Sequence, residues 1–154
     1  MGLNLIVNLL NRTKDFESKL KEGVFIREII LENETFIVNL NAEDQLFDHG
    51  INSLGVHIDD YAPYSEYTIE IKKAKGQPYN RVTLHDEGDF ANSIFIEAGN
   101  DQFEIKASDS KTQALIRKYG RQILGLTNEN LHEVIWKYIY PELLKETKKY
   151  IYGK

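Results

Sequence analysis

The sequence predicts an α+β fold: N-terminal helices, a small antiparallel β-sheet with a central hairpin, and a long C-terminal helix. Three patterns carry this. Ile94, Ile96 and Ala98 alternate with Phe95 and Glu97, and Phe103, Ile105 and Ala107 alternate with Gln102, Glu104 and Lys106. Gly99-Asn100-Asp101 lies between, so the stretch reads as a hairpin with one face to the core and one largely wet. Leu131, Ile135, Tyr138 and Ile139, continued by Leu143, Leu144, Thr147 and Ile151, form one apolar stripe at helical spacing. Leu3, Ile6, Leu10, Phe16 and Leu20 form another at the opposite end. Strands and helices are thus grouped rather than alternating.

The first helix should stop near Gly23. Phe25, Ile29, Ile37 and Leu40 predict a second, running to about Gly50, although Thr35-Phe36-Ile37-Val38 has strand-like composition. A short helix carrying Leu46 and Phe47 can restart at Asn41. Gly50-Ile51-Asn52-Ser53-Leu54-Gly55 is loop chemistry. Pro63 suits a helix start, and a basic helix is expected from Ser65 to Lys75, ended by Gly76 and Pro78. Arg81 to Leu84 reads as a short strand. Leu115, Ile116 and Tyr119 predict a short helix that Gly120 closes with a left-handed cap. Thr127 is placed to cap the last helix, with Asn130 where a capping box would carry Glu or Gln. Pro141 should kink or restart that helix.

Bulk properties exclude several classes. A chain of 154 residues, 42% apolar and 28% charged, is expected to fold as one domain over 1–154 without staples. With no cysteine there is no disulfide, thiolate metal site or cysteine nucleophile. No apolar run approaches the ~20 residues of a membrane helix. Met1 to Val7 lacks the basic region of a secretory signal, and Ile6 stands where a myristoylation motif requires Ser or Thr. No membrane partner is therefore expected. The net charge of −5 opposes general attraction to nucleic acid, so no sequence-specific nucleic-acid partner is expected either. Lys72, Lys73 and Lys75, and Lys145, Lys148 and Lys149, read as solvated helix surface.

The residues offering most chemistry are His85-Asp86-Glu87-Gly88-Asp89. Imidazole and carboxylates together can ligate zinc or manganese, which gives an alternative reading as a metal-dependent hydrolase using His85, Asp86 and Asp89. Against it, successive residues of an extended chain point to opposite sides, and no second His-rich segment complements them. A polar turn before a short helix is the reading adopted. Asp59-Asp60 reads as turn residues. His49, His57 and His132 are scattered, and no nucleophile elbow, phosphate loop or dinucleotide fingerprint appears. Hence no catalytic, cofactor-binding or metal residue is assigned, no cofactor is expected, and the chain is read as not an enzyme. Tyr61, Tyr64 and Tyr67 cluster, as do Tyr138, Tyr140, Tyr150 and Tyr152; a subunit interface and a half-buried core edge both account for them.

Three segments in order carry a resemblance. The first runs Gly50-Ile51-Asn52-Ser53-Leu54-Gly55, then Tyr61-Ala62-Pro63-Tyr64-Ser65 and Ile71-Lys72-Lys73-Ala74-Lys75-Gly76. The second is Val82-Thr83-Leu84-His85-Asp86-Glu87-Gly88-Asp89-Phe90-Ala91-Asn92-Ser93-Ile94, and the third Ile123-Leu124-Gly125-Leu126-Thr127-Asn128-Glu129-Asn130. Together they resemble the phage virion-morphogenesis, or tail-completion (head–tail joining), proteins, in the version carried by prophages of Bacteroides-like bacteria. The likeness runs from Gly50 to Ile139. Glu87 departs from the family's usual Thr, Phe90 from its Leu or Met, and Ile123 from its aromatic. The resemblance implies a structural virion protein that acts by forming a homo-oligomeric ring with other phage neck or tail proteins. It implies a location in the virion, and in the host bacterial cytoplasm during assembly. A phage-encoded binding module is the other alternative the sequence leaves open.

Overall fold

The computed structural model describes residues 2–99 and 102–153. Asn100 and Asp101, the expected centre of the hairpin turn, lie outside the described residues, as do the side chains of Gly2 and Leu3. The elements are α1 (Gly2–Lys21), α2 (Val24–Glu32), α3 (Glu34–Asn39), α4 (Glu66–Ala74), α5 (Asp89–Asn92), β1 (Ile94–Ala98), β2 (Phe103–Ala107), α6 (Thr112–Tyr119), α7 (Asn128–Val134) and α8 (Tyr140–Tyr152). Two segments, Leu40–His49 and Ile135–Ile139, are wound as π-helix. The fold is α+β, as predicted, with a two-stranded antiparallel sheet among the described residues and a long C-terminal helix. Two compact units make up the chain: residues 1–33, 98–103 and 132–154, and residues 34–97 and 104–131.

In the first unit, α1 and α2 are separated at Gly23, whose φ of 68° is costly for any residue with a Cβ. Phe16, Phe25 and Tyr150 form an aromatic trio with ring centroids 5.1–5.9 Å apart, joining α1, α2 and α8. Lys19 Nζ donates to the Tyr150 hydroxyl at 2.8 Å. Pro141 cannot supply the N–H an α-helix needs. The turn before it is π-helical, and α8 restarts with Pro141 in its first turn.

The second unit corrects several expectations. Thr35-Phe36-Ile37-Val38 is helical, inside α3, with Ile37 fully buried; burying one helical side outweighs the local β preference. From there the chain stays helical to Gly50 through the π segment, so the helix expected to restart at Asn41 is continuous with what precedes it. Helix α4, by contrast, matches the expected Ser65–Lys75 to within one residue at each end: Ser65 Oγ accepts from Thr68 N and caps it, and Pro63 lies before its start. Arg81 to Leu84 is not a strand. Its N–H donors go to side chains instead: Val82 N to Asp59 Oδ1 at 2.6 Å and Thr83 N to the Tyr64 hydroxyl at 3.0 Å. Leu84 then takes φ 53°, which ends any extended run. Gly120 has φ 87° but ψ 158°, so α6 ends in an extended glycine rather than a left-handed helical cap.

The hairpin forms as expected, with Ile94, Ile96 and Ile105 buried and Phe95 and Glu97 outward. Phe103, expected in the core, is only half-buried, since it opens β2 beside the turn. Lys106 pairs across the strands with Glu97. The free edge of β1 is partly closed: Ile96 N donates to Glu34 Oε1 at 2.8 Å.

Three fully buried amides organise the rest: Asn41, Gln45 and Asn52. Asn41 Nδ2 donates to Ile123 O and Gly125 O, and Gln45 Nε2 also donates to Gly125 O. Gln45 Oε1 accepts from Thr127 N at 2.8 Å and Asn130 Nδ2 at 3.0 Å. Thr127 Oγ1 accepts from Asn130 N, the expected cap on α7, while the Asn130 side chain turns to Gln45 and Asp44 instead of completing a box. Asn52 Oδ1 accepts from Leu54 N and Val56 N, folding the predicted Gly50–Gly55 loop onto itself.

Candidate functional site

A concavity of the second unit lies between α4 and the turn expected to cap α5. It encloses about 440 Å³. One wall is the side of α4 that carries Thr68, Ile71 and Lys72, spaced three and four apart on one helical face. Ile71, Leu84, Phe90, Leu115 and Tyr119 are among the apolar lining, and the exposed Asp86, Glu87, Asp89 and Lys111 stand at the rim. Gly88 makes the turn possible at φ 94°; a Cβ there would sit 3.2 Å from Asn92 Nδ2. Leu84, at positive φ without being glycine, holds strained backbone on the cleft wall.

Lys72 was expected on a solvated face, but its residue is only 5% exposed. Its Nζ donates to His85 O at 2.6 Å and Gln77 Oε1 at 3.1 Å and lies 5.1 Å from the centre of the Tyr64 ring. The ammonium thus holds the 84–88 turn against α4. Gln77 Nε2 donates to Asp86 O at 2.6 Å and Lys75 Nζ to Asp86 Oδ1 at 2.6 Å, closing the same clamp. That bond to Lys75 holds the Asp86 carboxyl below its usual range, against the opposing effect of burial. Lys73 lies over the Tyr79 ring at 4.8 Å. The sequence signal for Lys72 was its position one turn from Thr68 and next to Ile71, on the apolar side of α4. Lys145 and Lys149, by contrast, are exposed and pair locally with Glu142 and Glu146.

The three residues of the metal reading are brought near one another but turned to different partners. The His85 ring packs edge-on against Phe47 at 5.1 Å, Asp86 meets Lys75, and Asp89 Oδ2 lies 3.9 Å from Lys111. Among the described residues no group of three or more His, Asp or Glu is placed to hold a metal ion. Asp59 serves as a backbone anchor for Val82.

The first unit carries a different feature. Arg12 Nη2 donates to Lys149 O at 3.1 Å, so the last turn of α8 meets α1 at Arg12. Every residue of α1 from Asn4 to Asn11 is exposed. At 100° per residue, Leu5, Ile6, Leu9 and Leu10 share one side of this overhang and Asn4, Asn8 and Asn11 the other. Leu5 is 72% exposed and Leu10 54%. The tyrosines divide: Tyr119 is buried, Tyr64 and Tyr150 are half-buried and hydrogen-bonded, and Tyr61, Tyr67, Tyr79, Tyr140 and Tyr152 are exposed. Trp136 stacks edge-on against Tyr140 at 5.1 Å, and both remain exposed.

Comparison with protein-family models, with curated proteins and with solved structures finds no match to this chain. Among the described residues no helix is long and apolar enough to cross a membrane.

Proposed function

We propose that this chain is a structural subunit of a tailed-phage particle, a tail-completion or head–tail joining protein that self-associates into a ring beside other neck or tail proteins. It would be made in the host bacterial cytoplasm and carried in the virion. The observation that supports this most is the overhang of α1. Five aliphatic residues, Leu5, Ile6, Val7, Leu9 and Leu10, stand exposed on successive turns of one helix. Fully burying an exposed aliphatic side chain contributes roughly 1.5–3 kcal/mol, and these five are 42–72% exposed, so the isolated subunit forgoes about half of that at each. A subunit that completes its core only in an assembly has a use for such a segment; a monomeric catalyst has none. The ordered resemblance from Gly50 to Ile139 selects the kind of assembly.

The test is a phage carrying a stop codon early in this gene. Filled heads with separate tails, or tails of aberrant length, are the expected products. Normal infectious particles at wild-type titre would refute the structural role and leave the binding-module reading in its place.

A further inference from the structure

Resting on that assembly reading, we infer that the overhang of α1 from one copy seats in the α4–α6 cleft of a second copy, a head-to-tail contact. The two surfaces match in chemistry. The overhang offers an aliphatic ridge, Leu5, Ile6, Leu9 and Leu10, that nothing in its own helix bundle covers. The cleft offers an apolar lining of Ile71, Leu84, Phe90 and Leu115.

Their charges are complementary as well. Residues 2–11 contain no charged side chain, and the first turn of α1 carries no acidic residue to offset the positive end of its helix dipole. At the cleft rim Asp86 is bonded to Lys75 and Asp89 lies 3.9 Å from Lys111, which leaves the exposed carboxylate of Glu87 to face an incoming group. An uncompensated helix N-terminus approaching Glu87 meets the opposite sign, and the uncharged ridge behind it brings no unpaired charge into the apolar lining.

A ridge on one part of a subunit filling a pocket on another part is a heterologous contact. Repeated, such contacts close into a ring or run on as a filament. An isologous pairing of one α1 with another would stop at a dimer.

The chain has no native cysteine, so single introduced thiols report contacts without background. Full-length Val7→Cys protein is mixed with differently tagged full-length Lys111→Cys protein and oxidised. The expected product is the mixed disulfide, formed in excess over either homodisulfide. Adding Leu5→Asp and Leu9→Asp to the first partner, or Leu84→Asn or Glu87→Lys to the second, should cut its yield about tenfold or more, because each removes apolar fit or reverses the rim charge. Asn tolerates the left-handed backbone at position 84, so that variant keeps its fold; circular dichroism verifies this for every variant. Three results would overturn the contact. They are a dominant Val7–Val7 disulfide, an intramolecular link in a Val7→Cys/Lys111→Cys chain at high dilution, and no mixed disulfide up to millimolar protein. If the stop-codon phage fails to join heads and tails while the mixed disulfide is absent, the assembly role stands and this interface is wrong. If the disulfide forms while the phage is normal, the interface stands without the phage role.

Discussion

Replacing Gln45 with Leu tests whether buried amides hold the second unit together. The side chain is fully buried and makes three bonds: Nε2 to Gly125 O at 2.9 Å, and Oε1 from Thr127 N at 2.8 Å and Asn130 Nδ2 at 3.0 Å. Leucine has similar volume, so the cavity cost is small and the hydrogen bonds decide. Gly125 O keeps its bond from Asn41 Nδ2, and Asn130 Nδ2 keeps Asp44 Oδ2. Thr127 N loses its side-chain acceptor. An orphaned, part-buried donor costs up to about 1–3 kcal/mol, and the other two lost bonds about 0.5–1.5 kcal/mol each. Added apolar burial from leucine offsets part of this, leaving a loss of about 2–4 kcal/mol. Asn41→Leu should cost less, because Asn41 Oδ1 has no partner to lose. The two substitutions share Gly125 O, which only the double variant leaves without either amide. The double variant should therefore lose about 0.5–3 kcal/mol more than the sum of the singles. Urea unfolding followed by far-ultraviolet circular dichroism measures all three, with midpoints shifted and slopes unchanged. A Gln45→Leu loss below about 0.5 kcal/mol, within the range of a neutral surface change, would refute this account. Strict additivity with Asn41→Leu would refute the shared-carbonyl argument alone.

Three further outcomes follow from the hairpin and the cleft. Ile105→Ala should cost about 2–5 kcal/mol, while half-buried Phe103→Ala should fall below the roughly 3–5 kcal/mol of a core aromatic; urea midpoints that reverse this order would contradict the assigned burial. Lys72→Met keeps the stem but leaves His85 O without its charged donor, so about 1–3 kcal/mol and much of the amide-exchange protection around the 84–88 turn should be lost. Unchanged exchange there would show that the clamp does not depend on the ammonium. The Asp86 carboxyl has a lowered pKa, so its contribution is present above the unfolded pKa and disappears as pH falls through the folded one. Asp86→Asn should accordingly flatten the acid limb of turn opening measured by exchange, only slightly because the pair is exposed; an identical acid limb in both proteins would count against the Lys75 bond.

The sequence by itself determined the elements whose signals are local. The hairpin followed from alternation between Ile94 and Ala107, α4 from the bounds set by Pro63 before it and Gly76 and Pro78 after it, α7 from the Thr127 cap, and the C-terminal helix from a stripe that continues across Pro141. Each rests on residues within one or two turns or strand lengths of one another, where periodicity and capping chemistry are sufficient. Tertiary structure decided what depends on distant partners. Arg81 to Leu84 has strand composition, yet the hydroxyl of Tyr64 and the carboxylate of Asp59 take the donors a strand would need. Thr35 to Val38 is helical because burial of Ile37 outweighs local preference. Lys72 looked like one of three solvated lysines until His85 O and Gln77 supplied partners 13 and 5 residues away. The bonds from Asn41 and Gln45 reach 80 to 84 residues along the chain to Ile123 and Gly125. A polar side chain gives no sign in sequence of whether it meets water or a distant carbonyl, because that depends on which segment the folded chain lays against it.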